Sequence, residues 1–254
     1  MQEPIDFAID SAGIARLTIN RPKRANSIDS ELADGLLAAL DWCASEPKVR
    51  LLVLLGAGRS FCAGIDLKWM RQSGEAEFET NYADALKLTK ILHRLYTLPV
   101  PTFAAVSGPA IGFGVGLVAA CDIAVAVENA VFRFSEVRFG IMPSVVSPYV
   151  VASMGARACR RYFQTAEPFP AVEAARLGLV HEVCPMDELG AATARIVTEL
   201  LAGKLEAQKG AKALIDEFRL RPIDQALMDE TARRLAEIRR TPEALKTLAE
   251  LFDH

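Results

Sequence analysis

The apolar residues of 5–10 and 14–19 flank Ser11–Ala12–Gly13 and predict a β-hairpin, ended by Asn20–Arg21–Pro22. Asp29 or Ser30 can cap a helix carrying Leu32, Leu36, Leu37 and Leu40 on one face, and Pro47 stops it. The continuous apolar run Leu51–Leu55 has the pattern of a strand covered on both faces. A Gly-rich turn follows from Gly56 to Gly64. Leu86, Leu88, Ile91, Leu92 and Leu95 then fall at helical spacing between about Glu77 and Thr97. Further on, the pattern predicts a buried strand over 102–106, a small-residue helix over 109–121, and strands over 123–127 and 131–134. Beyond residue 148 it turns helical, over 148–163, 171–177, 187–202, 204–219 and 222–252, with one strand near 179–183 and Pro222 and Pro242 as starts or breaks. The order is that of an α/β fold with a helical tail, divided as a core over 1–190 and a helical region over 191–254.

From Tyr96 to Cys121 no residue is charged, and Gly108, Gly112 and Gly116 spell GxxxGxxxG, which invites a membrane reading. Pro99, Pro101 and Pro109 break any spanning helix there, and no basic cluster flanks one side, so no membrane association is expected. At 254 residues, 51% apolar and 24% charged, the chain can bury a full core, and disordered, collagenous and mini-protein readings are excluded. Twenty-nine Lys and Arg against thirty-two Asp and Glu give a net charge of −3, which argues against nucleic acid as a partner. The basic clusters Arg157 with Arg160–Arg161, Arg233–Arg234 and Arg239–Arg240 read as solvated faces. Five cysteines without a CxxC pair point to a reducing, cytoplasmic setting, and Met1–Asp10 has no signal-peptide pattern.

Most catalytic motifs are absent. There is no GxxxxGK[ST], no GxSxG and no HExxH, and His93, His181 and His254 lie far apart, so no metal or cofactor is expected. Gly114–Ala119 matches GxGxx[GA], but inside an apolar helix rather than at a strand-to-helix turn. Two Gly-bearing turns say more: Gly56–Met70 and Ser107–Gly116 each leave a buried strand. Such turns on neighbouring strands can aim two main-chain N–H groups at one oxygen, an oxyanion hole for a carbonyl that becomes an enolate. The same glycines equally suit tight strand-to-helix packing.

Phe61-Cys-Ala-Gly-Ile-Asp-Leu67, Gly108–Gly116 running into Ala119-Ala-Cys-Asp-Ile123, and Phe134-Ser-Glu-Val-Arg-Phe-Gly-Ile-Met-Pro143 resemble the signature blocks of the enoyl-CoA hydratase/isomerase (crotonase) family. Ile19–Asn26 and Ala174–Val180 resemble two more, in the same order along nearly the whole chain. The resemblance implies a spiral of ββα repeats with a C-terminal helical oligomerisation region, assembling as a homotrimer or hexamer. It implies an acyl-CoA thioester as substrate, with coenzyme A arriving as part of it. The oxyanion-hole amides would be those of Ile65 and Phe113, and the catalytic acid Glu136. Lys23, Arg24, Ala25, Ser27, Ala63, Gly64, Asp66, Leu67, Gly112 and Pro143 would contact the substrate. Where two-carboxylate hydratases carry their second acid, this chain has Gly116. Ser135–Tyr149 is similar to hydratases of branched or carboxylated enoyl-CoAs, the methylglutaconyl-CoA type, for which Arg138 is either a partner of a distal carboxylate or a plain exposed arginine. The expectation is a hydratase working through one glutamate. A double-bond isomerase on the same scaffold and a non-catalytic acyl-CoA binder are the alternatives.

Overall fold

The computed structural model describes residues 3–252; Met1, Gln2 and His254 of the readings above lie outside it. The hairpin is β1 (Ile5–Ile9) and β2 (Ile14–Ile19), antiparallel, with Gly13 at φ +84° making the turn. Asp29 caps α1 (Ser30–Ser45), its side chain accepting from the Leu32 N–H at 3.1 Å. Then come β3 (Leu51–Gly56), α2 (Leu67–Glu75), α3 (Phe78–Tyr96), β4 (Thr102–Val106), β5 (Ala110–Ile111), α4 (Phe113–Ala120), β6 (Ile123–Val127) and β7 (Val131–Arg133). After them run α5 (Ser147–Thr165), kinked where Gly155 takes φ +78°, then β8 (Phe169–Pro170), α6 (Ala171–Arg176), β9 (Glu182–Cys184) and α7 (Leu189–Ala202).

A six-stranded sheet of order β1-β2-β3-β4-β6-β9 is parallel except for the hairpin, and a second, small sheet has the order β5-β7-β8. The apolar run of β3 is covered on both faces: Leu51 to Leu54 are all buried. Four strands of the large sheet each lead to an extended segment and from there to a helix. β2 leads through Ile28 to α1, β3 through Cys62 and Ile65 to α2 and α3, β4 through β5 to α4, and β6 through β7 to α5. Successive turns stack through parallel pairings: Ile28 with Ile65, Cys62 with Ala110, Ala110 with Phe132. That is a spiral of ββα turns, with α1 packed on α3, α3 on α4 and α4 on α5.

Three sequence expectations change. The helix expected over 109–121 starts only at Phe113, because Gly112 takes φ +51° and Ala110–Ile111 are held as a strand by β7. The segment after Gly64 forms α2, which its polar composition had hidden. The helix expected over 222–252 is two, parted before Pro242. The chain divides into compact units at Leu200/Leu201. The second unit is helical: α8 (Leu205–Phe218), α9 (Gln225–Arg239) and α10 (Pro242–Phe252). There Arg234 pairs with Glu217 and Glu230 and lies 5.0 Å from the centre of the Phe218 ring. Among the described residues no helix is long and apolar enough to cross a membrane.

One buried polar side chain ties the first turns of the spiral. Asn26, fully buried at φ +58°, donates from Nδ2 to the carbonyls of Ala57 (2.9 Å), Ser60 (2.7 Å) and Phe61 (3.2 Å), and its Oδ1 accepts from the Arg21 N–H (2.9 Å). Asn26→Asp is isosteric but turns an acceptor toward three carbonyl oxygens. It should lower stability by roughly 3–5 kcal/mol, the usual result of an uncompensated buried charge. Urea unfolding of the two proteins measures this, and a difference within experimental error would refute the role given to Asn26.

Candidate active site

Two turns are zipped together by main chain. The amides of Phe61 and Cys62 both donate to the Pro109 carbonyl (3.1 and 3.2 Å), and the Ile111 amide donates to the Cys62 carbonyl (2.9 Å). On the other side, Ile28 donates to the Gly64 carbonyl and Asp66 to the Ile28 carbonyl, both at 2.8 Å. In a parallel bridge of this kind the bonds come from the neighbours of the central residue, so the Ile65 N–H points away from Ile28. Phe113 opens α4, where the first-turn amides have no partner within the helix. Among the described residues neither amide, of Ile65 or of Phe113, finds an acceptor. Gly64 brings the two turns close: at φ +90°, a Cβ on it would lie 2.8 Å from the Ile111 carbonyl oxygen and 3.6 Å from the Phe113 nitrogen.

Glu136 faces the same place. It follows β7, whose Arg133 carbonyl accepts from the Gly112 amide at 2.8 Å, and so its carboxyl lies against the start of α4. A Cβ on Gly112 would sit 2.8 Å from Glu136 Oε1, so glycine is required there both for its positive φ and to admit the acid. Glu136 Oε2 is buried without a hydrogen-bond partner among the described residues. Burial raises the Glu136 carboxyl above the usual glutamate range, the setting of a base that works near neutral pH.

The three groups line one cleft of about 1120 Å³, enough for a drug-sized ligand. Gly64, Ile65, Gly112, Phe113 and Glu136 surround its reactive part, and Ala63, Leu67 and Pro143 line it too. Asp66 caps α2, accepting from the Lys68 and Trp69 amides at 2.9 and 3.2 Å, while Ser27 and Arg24 approach its other oxygen at 3.4 and 3.8 Å. All three of these side chains belong to the cleft. Two expected contacts do not. Lys23 is exposed on the short 3-10 turn Pro22–Arg24, and Ala25, at φ +48°, uses its carbonyl to accept from the Ala63 amide at 2.9 Å. Arg138 is exposed, donates to the Thr165 carbonyl at 3.3 Å and does not line the cleft.

Sequence reasoning passed over Trp69, Ser73, Asp84 and Arg133, which line the cleft from α2, α3 and β7. The spacing Asp66, Trp69, Met70, Ser73 was the available signal, a capped helix with one face turned inward. Rival chemistries lose ground. Cys62 is buried and its thiol is pushed up to about 12, so it offers no thiolate near neutral pH. The Nδ1 of His181 accepts from the Ala124 amide at 3.1 Å, tying it to β6. Gly114, of the GxGxx[GA] match, packs α4 on the preceding turn: a Cβ there would lie 2.3 Å from the Cys62 carbonyl. Among the described residues no group of three His, Cys, Asp or Glu could hold a metal ion.

Gly116 is filled, not vacant. A Cβ there would meet Val146 Cγ1 at 2.4 Å and Leu92 Cδ1 at 3.2 Å, so a second carboxylate has no room to enter the cleft from this position.

Residues 10–250 match the family model described as enoyl-CoA hydratase/isomerase. Enoyl-CoA hydratase AKT6-1 of Alternaria alternata is 32% identical over 90% of this chain and 74% of that protein. Enoyl-CoA isomerase/hydratase fer4 of Mycosarcoma maydis is 33% identical over 71% of this chain and 68% of its own length. The crystal structure of an enoyl-CoA hydratase from Shewanella pealeana superposes with a TM-score of 0.94 at 34% identity, covering 99% of this chain and 94% of that one.

Two substitutions test this geometry without any substrate. Gly116→Glu should destabilise the fold by about 1–3 kcal/mol or more, the cost of overpacking, seen as a lower urea midpoint; an unchanged midpoint would show the space to be available. Glu136→Gln should stabilise it at neutral pH, seen as a higher urea midpoint. Because the folded-state pKa is raised, the wild type loses stability as pH rises through it, and the non-titrating Gln does not. The gap between the two should therefore close below the ordinary glutamate range and open above the raised pKa. A gap that widens on acidification would contradict the burial of this acid.

Proposed function

The chain belongs to the enoyl-CoA hydratase/isomerase family, and from that premise we propose that it is a hydro-lyase adding water reversibly to a 2-enoyl-CoA thioester. The observation that carries the reading is one buried, unpartnered carboxylate oxygen on Glu136 in the same cleft as two unpartnered amides, of Ile65 and Phe113. The thioester oxygen would accept from both amides. Glu136 would take a proton from water as its oxygen bonds to the β-carbon, and the double-bond electrons would move onto the thioester oxygen as an enolate. The protonated Glu136 then returns its proton to the α-carbon, the enolate collapses to the thioester, and the carboxylate is restored. One acid suffices because it gives and receives in turn. Two preorganised donors, each worth ~10²–10³ in rate, would supply several kcal/mol of the barrier reduction. The Phe113 ring, buried and needed for neither donor, would wall the acyl pocket. We read the substrate-contact residues as Arg24, Ser27, Ala63, Gly64, Asp66, Leu67, Gly112 and Pro143, with Lys23 at the rim.

Gly116 supports a second reading. A single carboxylate is also sufficient to carry a proton between two carbons, which is double-bond isomerisation. Supplying 2-enoyl and 3-enoyl thioesters separately distinguishes the two. Hydration bleaches the conjugated thioester absorbance of the 2-enoyl ester, whereas isomerisation of the 3-enoyl ester creates it. Glu136→Gln should reduce turnover by at least ~10²-fold while acyl-CoA affinity stays within a few-fold of wild type. Near-normal turnover by that variant would remove Glu136 from the mechanism. Tight binding without turnover by wild type, across short, branched and carboxylated esters, would instead mark a non-catalytic acyl-CoA binder.

A further inference from the structure

Away from Glu136, one group of polar side chains lines the cleft from α2 and α3. Asp84 of α3 is half-buried; its Oδ2 accepts from Trp69 Nε1 at 3.0 Å and from the Ser73 hydroxyl, both on α2. Two donors on one oxygen fix the carboxylate's orientation and leave Oδ1 without a donor among the described residues. One turn earlier, Asn81 lines the same cleft on the same helix face, and among the described residues nothing bonds its side-chain amide. Apolar residues on the same two helices, Met70, Ala85 and Leu88, line the cleft with them, as do Phe139, Ile141 and Val145. No cation pairs with Asp84 among the described residues. The arginines of the cleft are held elsewhere, Arg24 by Asp29 and Asp66, Arg133 by the Ala166 carbonyl at 2.8 Å, and Lys68 is exposed.

Resting on the acyl-thioester reading above, we infer that Asp84 is a specificity-determining residue, its free oxygen selecting acyl chains that carry an uncharged hydrogen-bond donor, such as a hydroxyl, toward their distal end. An oriented acceptor in a cleft with apolar lining rewards a donor and is left unsatisfied by a plain alkyl chain. It repels a distal carboxylate, a built-in element of rejection. The branched or carboxylated preference suggested by the wording of Ser135–Tyr149 thus meets an acid where it would need a base.

The test is a series of 2-enoyl-CoA esters of increasing length, each as its ω-hydroxy, ω-carboxy and unsubstituted form, turned over by wild type, Asp84→Asn and Asp84→Leu. At the length that reaches α3, wild type should prefer the ω-hydroxy ester by roughly 10- to 100-fold in kcat/KM over both others, the worth of a hydrogen bond to a charged acceptor. Asp84→Leu should erase that preference and keep activity on the unsubstituted ester. Asp84→Asn, which preserves the contact with Trp69 or Ser73 but not the charge, should recover part of the activity on the ω-carboxy ester. A wild-type preference for the ω-carboxy ester, or equal loss on all three esters in both variants, would overturn the inference. If wild type turns over none of them, the hydratase reading fails by itself. The affinities of saturated ω-hydroxy and ω-carboxy acyl-CoAs for wild type and Asp84→Asn then decide the role of Asp84 by the same ratio.

Discussion

Everything in the candidate site depends on how closely two strands' exit turns can approach one another. Gly64 lets the turn after β3 lie on the Ile111–Phe113 turn, and Gly112 lets Glu136 lie on the start of α4. A Cβ at either point would meet a carbonyl oxygen or the Glu136 carboxyl at 2.8 Å. The approach is held by main-chain hydrogen bonds through Pro109, Cys62 and Ile28, which use the neighbouring amides and spare those of Ile65 and Phe113. Two unsatisfied donors beside an unsatisfied acceptor are a cost to the free protein. A bound thioester and a water would repay each of them, which is how a site comes to fit a developing charge better than it fits an empty cavity.

The one-acid arrangement is a packing result as much as a sequence departure. Val146 and Leu92 press on Gly116, so hydrocarbon fills the space a side chain there would need. Burial alone raises the Glu136 carboxyl above its ordinary range. Water at this site would have a single protein base to orient it, and the shape of the apolar surroundings has more to do than in a two-carboxylate cleft.

Most of the scaffold was legible because its signals are local. β4 and β6 fall at their expected bounds, β3 and α3 within a residue, since short uncharged apolar runs and i, i+3, i+4 apolar rows have few other uses. α2 was hidden, because its inward face is only Trp69 and Met70 in a polar segment containing Gly74. The start of α4 was misplaced because Ala110 and Ile111 suit a helix as well as a strand, and only the pairing with β7 decides between them. In the site, Ile65, Phe113 and Glu136 were named through motif wording. Asp84, Trp69 and Ser73 were not, since an acid, an indole and a hydroxyl on two separate helices form no pattern until those helices meet.

The sequence by itself determined the alternation of buried strands and helices, the caps and the glycines at the turns, all of them matters of residue type and spacing, and Glu136 was named through the resemblance of its motif. Tertiary structure alone decided which amides were left free, which carboxylate oxygen was buried without a donor, why Gly116 cannot be an acid and which polar side chains of α2 and α3 meet in the cleft. Those are properties of distances between segments far apart in the chain, and a distance across a fold is not encoded in any one segment that it separates.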